Sequence, residues 1–186
     1  MFATKQNPWK TIDSEIKYDN PWIKVVEHQV INAAGNPGIY GTIHYKNHAI
    51  GIIPLDEDNN TWLVGQYRYP LNQYSWEICE GGGKYEIDIL ESAKRELMEE
   101  LGIKAEHWEK LLEMHLSNSV TDESGTIYIA KNLSFHAPEP EEDEVLSIKK
   151  LPFEEAYNMV MKGEITDSLS VAGILKTKIL LNNKSL

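Results

Sequence analysis

Residues 81–103 read GGGKYEIDILESAKRELMEELGI, a glycine triplet followed by a segment of helical periodicity. At roughly 100° per residue, the apolar side chains fall on one stripe of a helix: Leu90, Ala93, Leu97 and Leu101. Asp88 stands just before this stripe, where its carboxylate can accept from free N–H groups of a first turn. Gly102 stands where helices commonly end in a left-handed residue. The sequence therefore predicts a helix from about Asp88 to Leu101.

The other side of this predicted helix carries three glutamates. Glu96, Glu99 and Glu100 lie at about 240°, 180° and 280° from Leu90, side by side on one face. Such like charges repel by roughly a few tenths of a kcal/mol per pair. A hard divalent cation removes that repulsion by taking carboxylate oxygens as ligands. Arg95 lies about 40° from Glu99 and can orient or partly neutralise it. On this pattern alone two interpretations stay open, a metal site and a solvated acidic face.

Extended segments are predicted on both sides of the helix: 22–32, 39–45, 48–55, 61–69, 75–79, 109–117, 126–134 and 145–151. The polar turn 56–60 predicts that the strands flanking it form a hairpin. Two further helices are predicted near 153–162 and 167–182. The chain is therefore predicted to be mixed α+β, with most strands before the central helix.

Composition limits the class of protein. A net charge of −11 on 186 residues argues against nucleic acid as a partner, since backbone binding needs clustered Lys and Arg. The one cysteine, Cys79, cannot form an internal disulfide, which favours a reducing compartment. Neither a signal peptide nor an apolar stretch of about 20 residues is visible. We therefore expect a cytoplasmic protein without a membrane partner.

Residues 81–103 resemble the Nudix box. That pattern is Gly, five residues, Glu, seven residues, Arg-Glu, an apolar residue, any residue, Glu-Glu, any residue, Gly and an apolar residue. The positions that match in register are Gly81, Arg95, Glu96, Leu97, Glu99, Glu100, Gly102 and Ile103. The first Glu of the box falls on Ile87, with Glu86 one place early. That Glu is usually auxiliary in the family, so the resemblance still implies a metal site.

The resemblance extends over most of the chain. Segments 65–70, 75–81 and 163–167 are similar to the ADP-ribose and nucleotide-sugar pyrophosphatase branch. It implies a Nudix-type α/β/α sandwich with a mixed sheet at 46–186, plus N-terminal β-strands at 1–45. In that branch the N-terminal strands commonly exchange between two subunits, so a homodimer is expected.

The resemblance also implies roles for individual residues. The carbonyl of Glu80 and the side chains of Glu96 and Glu100 would hold the metal, with Glu99 assisting. Mg²⁺ is the expected cofactor, and Mn²⁺ can substitute for it. Metal bridging a diphosphate would neutralise charge on the phosphoryl oxygens and activate a water.

An acidic loop follows the predicted strand 126–134 and carries the candidate general base. A carboxylate on a mobile loop suits this role, because substrate binding can bring it to the attacking water. We predict Glu142, with Glu141 and Glu144 as close alternatives. Solvated surface is the other interpretation of this loop.

Three further residues are predicted to contact the substrate. Arg68 suits a diphosphate because its planar fork matches phosphate oxygens. Glu77 is expected to contact the sugar or an outer metal, and Trp22 to stack on a nucleobase. The alternatives are a surface Arg–Glu pair, a plain strand-surface Glu and a core Trp.

The sequence thus favours an enzyme that hydrolyses a nucleoside-diphosphate sugar or ADP-ribose to a nucleoside monophosphate and a sugar phosphate. Cys79 stands where the branch often has Pro, and the Pro that tends to follow the box is missing, which weakens ADP-ribose as the specific substrate. Two alternatives stay open: a degenerate module that senses a nucleotide without cleaving it, and a Nudix enzyme for other nucleotides. Ile87 favours the first, whereas the long N-terminal segment disfavours the second.

Overall fold

The computed structural model describes residues 6–139 and 145–186. These divide into two compact units. The first contains the chain up to Lys46 together with Ser117–Glu123, and the second contains Asn47–Leu116 and Ser124–Leu186.

The first unit is built on a three-stranded antiparallel sheet in the order β1-β2-β3. Its strands are β1 Lys10–Asp19, β2 Ile23–Ile31 and β3 Pro37–Tyr45. Strand β1 was not predicted from sequence. Every residue of β1 is exposed, so neither face of it needs the apolar alternation by which strands are recognised. The segment Ser117–Glu123 is tied to β3 by two backbone hydrogen bonds, Ile43 N to Val120 O and Asp122 N to Ile43 O.

The second unit contains the remaining elements of the described chain. Its strands are β4 Asn47–Pro54, β5 Asn60–Arg68, β6 Gln73–Glu77, β7 Cys79–Lys84, β8 Ile103–His115, β9 Ser124–Phe135 and β10 Ser147–Pro152. Its helices are α1 Ile89–Leu101, α2 Phe153–Met161 and α3 Ser168–Asn182, with a short 3₁₀ helix at Tyr69–Leu71.

These strands form two sheets. One has the order β7-β4-β9-β8, with β4 and β9 parallel and the other neighbours antiparallel. The other is antiparallel, in the order β10-β5-β6. The predicted hairpin of 48–55 with 61–69 is therefore wrong, since β4 and β5 lie in different sheets. The polar turn 56–60 indicates only that the chain reverses there, and it does not show which strands pair. Strand β4 is buried along most of its length and pairs with β7 and β9 on its two edges, as an internal strand does.

The helices cover opposite sides of these sheets. Helix α1 packs on a core that includes Ile50, Ile52 and Val64. Helices α2 and α3 pack on a second core that includes Ile53 and Ile127. Successive residues of a strand point to opposite faces of the sheet, so Ile52 packs in the core under α1 and its neighbour Ile53 packs in the core under α2 and α3. The predicted α+β class and the α/β/α sandwich with a mixed sheet are confirmed. In the described ranges, none of the helices is long and apolar enough to cross a membrane.

Helix α1 has the ends that the sequence predicts. The Asp88 side chain accepts from the N–H groups of Leu90 and Glu91, at 2.9 and 3.2 Å. Gly102 ends the helix at φ 63°, in the left-handed region that glycine adopts without steric cost. Because both ends are fixed, the direction of each glutamate on the helix is fixed as well.

Candidate active site

Strand β7 lies at the end of its sheet and turns one edge toward α1. Two N–H groups on this edge are bound by helix carboxylates. The Glu80 N–H donates to Glu100 Oε2, and the Gly82 N–H donates to Glu96 Oε1, both at 3.2 Å. The edge of β7 therefore receives from α1 the hydrogen bonds that another strand would otherwise supply.

The spacing of the two elements explains this match. Residues four apart on a helix are separated by about 6 Å along its axis. Residues two apart on a strand are separated by about 6.6 Å. Two carboxylates at i and i+4 can therefore reach alternate N–H groups of one strand. Glu96 and Glu100 have this spacing, and so have Gly82 and Glu80.

Gly81 makes the close approach of helix and strand possible. A Cβ at this position would lie 2.0 Å from Cδ of Glu96 and 2.4 Å from its Oε1. No side chain fits there, so the Glu96 carboxyl lies directly against the backbone of β7. The group that Gly81 admits in the structure is therefore this carboxyl.

A Gly81→Ala variant tests the role of this contact. We expect the added methyl group to displace the Glu96 carboxyl and lower kcat by roughly tenfold or more, the range seen when support for a metal ligand is lost. Gly38→Ala is the matched control, since nothing lies within 4 Å of a Cβ built at Gly38. Steady-state kinetics at saturating Mg²⁺ measures the effect. Equal rates for the two variants would contradict the importance of the close approach.

The two carboxylates are buried to different degrees and carry different neighbours. Glu100 is only 3% exposed, and the Cys79 thiol hydrogen-bonds to it. Burial, followed by the negative charge of Glu100, raises the pKa of the Cys79 thiol. The Glu96 side chain is 12% exposed, and burial raises the pKa of its carboxyl to about 7, against the opposing effect of Arg95. Burial therefore destabilises the ionised form of Glu96, and a bound cation would offset this destabilisation.

Arg95 lies beside the site and not within the core. Its Nη2 donates to Glu96 Oε1 at 2.6 Å and to the Gly82 carbonyl at 3.1 Å, and its Nη1 donates to Glu99. The predicted orientation of Glu99 by Arg95 is thus present in the structure. Glu99 itself faces Arg95, whereas Glu96 and Glu100 face β7.

The donor atoms at the β7 edge fit a hard divalent cation. In a strand, the N–H and C=O of one residue point to the same edge. The Glu80 carbonyl is therefore directed to the side from which Glu100 binds the Glu80 N–H. Two carboxylates and one carbonyl give an all-oxygen set, which Mg²⁺ prefers. Among residues 6–139 and 145–186, no group of three or more Asp, Glu, His or Cys side chains is placed to hold an ion.

The side chain of Glu80 is held by residues that the sequence did not single out. Ser170 Oγ donates to Glu80 Oε1 at 2.8 Å, and the Asp167 carboxyl hydrogen-bonds to the Glu80 carboxyl. Burial and the neighbouring Asp167 raise the pKa of Glu80 well above its ordinary value. Burial also opposes ionisation of Asp167, yet hydrogen bonds from Glu80 and Ser170 bring the pKa of Asp167 below its ordinary value. The two carboxyl groups therefore form one hydrogen-bonded pair.

Arg68 and Glu77 form an ion pair across neighbouring strands. Arg68 Nε donates to the two Glu77 oxygens at 2.9 and 3.1 Å, and Nη2 donates as well. The Glu77 side chain is 3% exposed and that of Arg68 is 37% exposed. Both line a cavity of about 250 Å³, to which Asp167 also contributes. Glu77 is thus a buried partner of Arg68, and the guanidinium is exposed enough to meet a ligand.

An Arg68→Ala variant tests this pair through stability. Removing the guanidinium leaves a buried carboxylate without its partner, so we expect the free energy of unfolding to fall by about 2–3 kcal/mol. This figure lies below the roughly 3–5 kcal/mol typical of a fully buried ion pair, because the Arg68 guanidinium is partly exposed and solvent screens its charge. An Arg68→Ala/Glu77→Gln double variant should recover part of the loss, as judged by urea unfolding. A double variant no more stable than the single one would contradict the assignment.

The remaining predicted site residues are placed as follows. Trp22 belongs to the first unit, at the turn between β1 and β2, and is 66% exposed rather than packed in a core. The candidate bases Glu141, Glu142 and Glu144 lie outside the described residues. Glu139, just before them, donates its N–H to the Glu99 carbonyl at 3.0 Å.

Two family models match the chain. A model described as the nucleoside diphosphate sugar hydrolase N-terminal domain matches residues 9–43, and one described as the NUDIX domain matches residues 46–169. The crystal structure of an ADP compounds hydrolase superimposes with a TM-score of 0.85 over 100% of both chains. At 18% identity, that likeness shows the fold alone.

Curated relatives agree with the family models. An ADP-ribose pyrophosphatase of Mycobacterium tuberculosis is 31% identical over 177 residues, which is 91% of this chain and 83% of the relative. A methanol dehydrogenase activator of Bacillus methanolicus is 33% identical, and an ADP-ribose pyrophosphatase of Bacillus subtilis is 27% identical. Each of these two matches covers 68% of this chain and 69% of the relative. Helix α1, the edge of β7 and these similarities lead to one conclusion: the chain belongs to the NUDIX family of hydrolases.

Proposed function

We propose that this enzyme hydrolyses the diphosphate bond of a nucleoside-diphosphate sugar or of ADP-ribose, giving a nucleoside monophosphate and a sugar phosphate. The observation that carries the proposal is the pair of buried carboxylates, Glu96 and Glu100, fixed on alternate N–H groups of β7. The family model over residues 9–43 is named for nucleoside diphosphate sugar hydrolases, and two relatives are named ADP-ribose pyrophosphatases. Each of these three names includes a substrate that contains a nucleoside diphosphate.

The residues divide the work as follows. Glu96, Glu100 and the Glu80 carbonyl would hold Mg²⁺ or Mn²⁺, which supplies charge neutralisation at the phosphoryl oxygens when bound. Arg95 restrains the Glu96 and Glu99 carboxylates, and Glu99 assists at the rim of the site. Arg68 offers its partly exposed guanidinium to the diphosphate. Glu142, or one of its neighbours Glu141 and Glu144, accepts the proton of the attacking water.

A substrate panel tests the proposal. ADP-ribose, sugar nucleotides, dinucleoside polyphosphates and nucleoside triphosphates are incubated with enzyme and either Mg²⁺ or Mn²⁺, and the phosphate products are identified. We expect a nucleoside monophosphate and a sugar phosphate from the first two classes, and none without a divalent cation. Turnover confined to triphosphates, or equal turnover with a chelator present, would refute the proposal.

A non-hydrolytic nucleotide sensor is the second candidate. Ile87, which is 50% exposed in the segment before α1, stands where the box has its first Glu. A degenerate box is the one feature that favours this function. Thermal stabilisation by a nucleotide, without turnover under any divalent cation, would select it.

We also propose that the protein works as a homodimer, with residues 1–45 forming the dimerisation segment and 46–186 the catalytic domain. Support comes from the first unit, whose β1 is exposed throughout and carries Ile12 and Ile16 on its surface. Light scattering that finds only monomer would overturn this assembly. The single cysteine supports a reducing compartment, and we propose the cytoplasm.

A further inference from the structure

The first turn of α3 binds the same strand edge that α1 binds. Ser170 is fully buried, and its hydroxyl joins Glu80 of this edge to Ile78, the residue just before β7. Ser170 Oγ accepts from the Ile78 N–H at 3.0 Å and donates to Glu80 Oε1 at 2.8 Å. The N–H groups of Ile78, Glu80 and Gly82 thus find their partners in α3 and α1. Two helices together take the place of a neighbouring strand.

Asp167 completes the attachment. Its Oδ2 caps α3 by accepting from the Ser170 N–H at 2.8 Å, and its carboxyl hydrogen-bonds to that of Glu80. The cap fixes where Ser170 lies, and Ser170 and Asp167 then hold the Glu80 side chain from two directions. The Glu80 N–H is held separately by Glu100. Glu80 is therefore fixed through its side chain by one helix and through its backbone by another.

A carbonyl ligand needs such an attachment more than a carboxylate ligand does. A glutamate can reach a cation by changing its rotamer, whereas a main-chain carbonyl moves only with its strand. An edge strand has a neighbour on one side only, so its free side must be held by something else. We propose that Ser170 and Asp167 are positioning residues that fix the Glu80 carbonyl for the divalent cation. This inference rests on the metal site of the proposed function.

Binding of Mn²⁺ alone to the chain of 186 residues, measured by calorimetry, tests the proposal. Loss of the groups that hold a metal ligand commonly weakens metal binding about 10- to 100-fold. We expect Ser170→Ala and Asp167→Ala each to raise the Kd for Mn²⁺ by roughly tenfold. Asp167→Asn, in contrast, should keep most of the wild-type affinity for Mn²⁺. The Asn oxygen can still cap the Ser170 N–H, and the Asn amide can donate to the Glu80 carboxylate.

Thr177→Val is the matched control. Thr177 lies on the same helix and is fully buried, but its Oγ1 has no hydrogen-bond partner within the described part of the chain. Valine has nearly the same shape, so this variant removes a buried hydroxyl from α3 without touching β7. We expect its Mn²⁺ affinity to equal that of the wild type. The comparison separates loss of positioning from general loosening of the helix.

A metal-free measurement gives an independent readout. Amide hydrogen exchange reports local opening of the strand. In the absence of divalent cations, exchange across residues 78–82 should be faster in Ser170→Ala than in wild type, and unchanged in Thr177→Val. In kinetics, Ser170→Ala should raise the Mg²⁺ concentration for half-maximal rate and leave the substrate KM at saturating Mg²⁺ nearly unchanged.

Glu100→Gln separates failure of this inference from failure of the proposed function. If Glu100→Gln weakens Mn²⁺ binding while Ser170→Ala binds like Thr177→Val, the metal site stands and the positioning role is wrong. If Glu100→Gln binds Mn²⁺ as tightly as the wild type, the metal site is wrong, and the inference fails with it. Weakened binding in Glu100→Gln, Ser170→Ala and Asp167→Ala, with recovery in Asp167→Asn, supports the proposal.

Discussion

A Glu100→Gln variant is expected to fold normally and to hydrolyse its substrate at least ~10²-fold more slowly than the wild type, because the proposed metal site loses one of its ligands. The Gln oxygen can still accept the Glu80 N–H that Glu100 binds at 3.2 Å, so the strand edge stays satisfied. What disappears is one negative charge at a site that is only 3% exposed. The loss should appear in kcat at saturating Mg²⁺.

Glu91→Gln is the control for this result. Glu91 lies on the same helix, but its side chain is 62% exposed and pairs with Lys94 on the surface. Such an exposed pair contributes about 0–1 kcal/mol to stability and nothing to a buried metal site. The control should therefore keep the wild-type rate. Near-normal turnover in Glu100→Gln, or equal loss in both variants, would refute the assignment of Glu100 as a ligand.

A Glu96→Gln variant is expected to lose activity and yet to stabilise the metal-free protein. Burial raises the pKa of Glu96 from 4.5 to about 7. A raised pKa in the folded state means that folding favours the protonated group. This contribution to stability is complete below pH 4.5 and is lost as the pH rises through 7. Above pH 7 the wild type therefore carries a penalty that the neutral Gln does not.

The expected difference is roughly 2–3 kcal/mol in favour of Glu96→Gln at pH 8 in a chelator, and it should shrink toward zero near pH 4. Urea unfolding of both proteins across this pH range measures it. Adding Mg²⁺ should reverse the order, because a ligand that binds only the folded wild type stabilises it. Equal stability of the two proteins at pH 8 without metal would contradict the raised pKa.

Both variants remove a buried negative charge from the proposed metal site. Residues that hold a cation are placed where their charge is unfavourable without it, so the metal-free fold is less stable than it could be. The Glu96 carboxyl against Gly81 is the clearest instance, since the absence of a side chain at Gly81 admits a buried charge. Gly81→Ala is expected to disturb this contact.

Local features of the chain were predictable from sequence. Helix α1 is amphipathic, and Asp88 and Gly102 mark its two ends, so its limits and the directions of its glutamates follow from the helical period alone. The direction of Arg95 toward Glu99 follows in the same way, because residues four apart lie on one face. These are properties of neighbouring residues.

Features that depend on distant residues were not predictable. Ser170 and Glu80 are 90 positions apart, and nothing in the sequence around Ser170 shows that it faces β7. The start of α3 was predicted near Asp167, an ordinary N-cap residue, but the sequence did not indicate what that first turn contacts. The pairing of β4 with β9 was missed for the same reason. The burial of Glu77 was not predictable either. A glutamate is rarely buried without a charged partner, and the pairing of β5 with β6 is what brings Arg68 to Glu77.

Diffraction from crystals soaked in Mn²⁺ tests the central claim most directly. The anomalous signal should show a cation bound by the Glu80 carbonyl and by carboxylate oxygens of Glu96 and Glu100, with Arg95 at its side. A crystal in which this edge of β7 stays empty at high Mn²⁺, or in which the cation lies away from Glu96 and Glu100, would contradict the account.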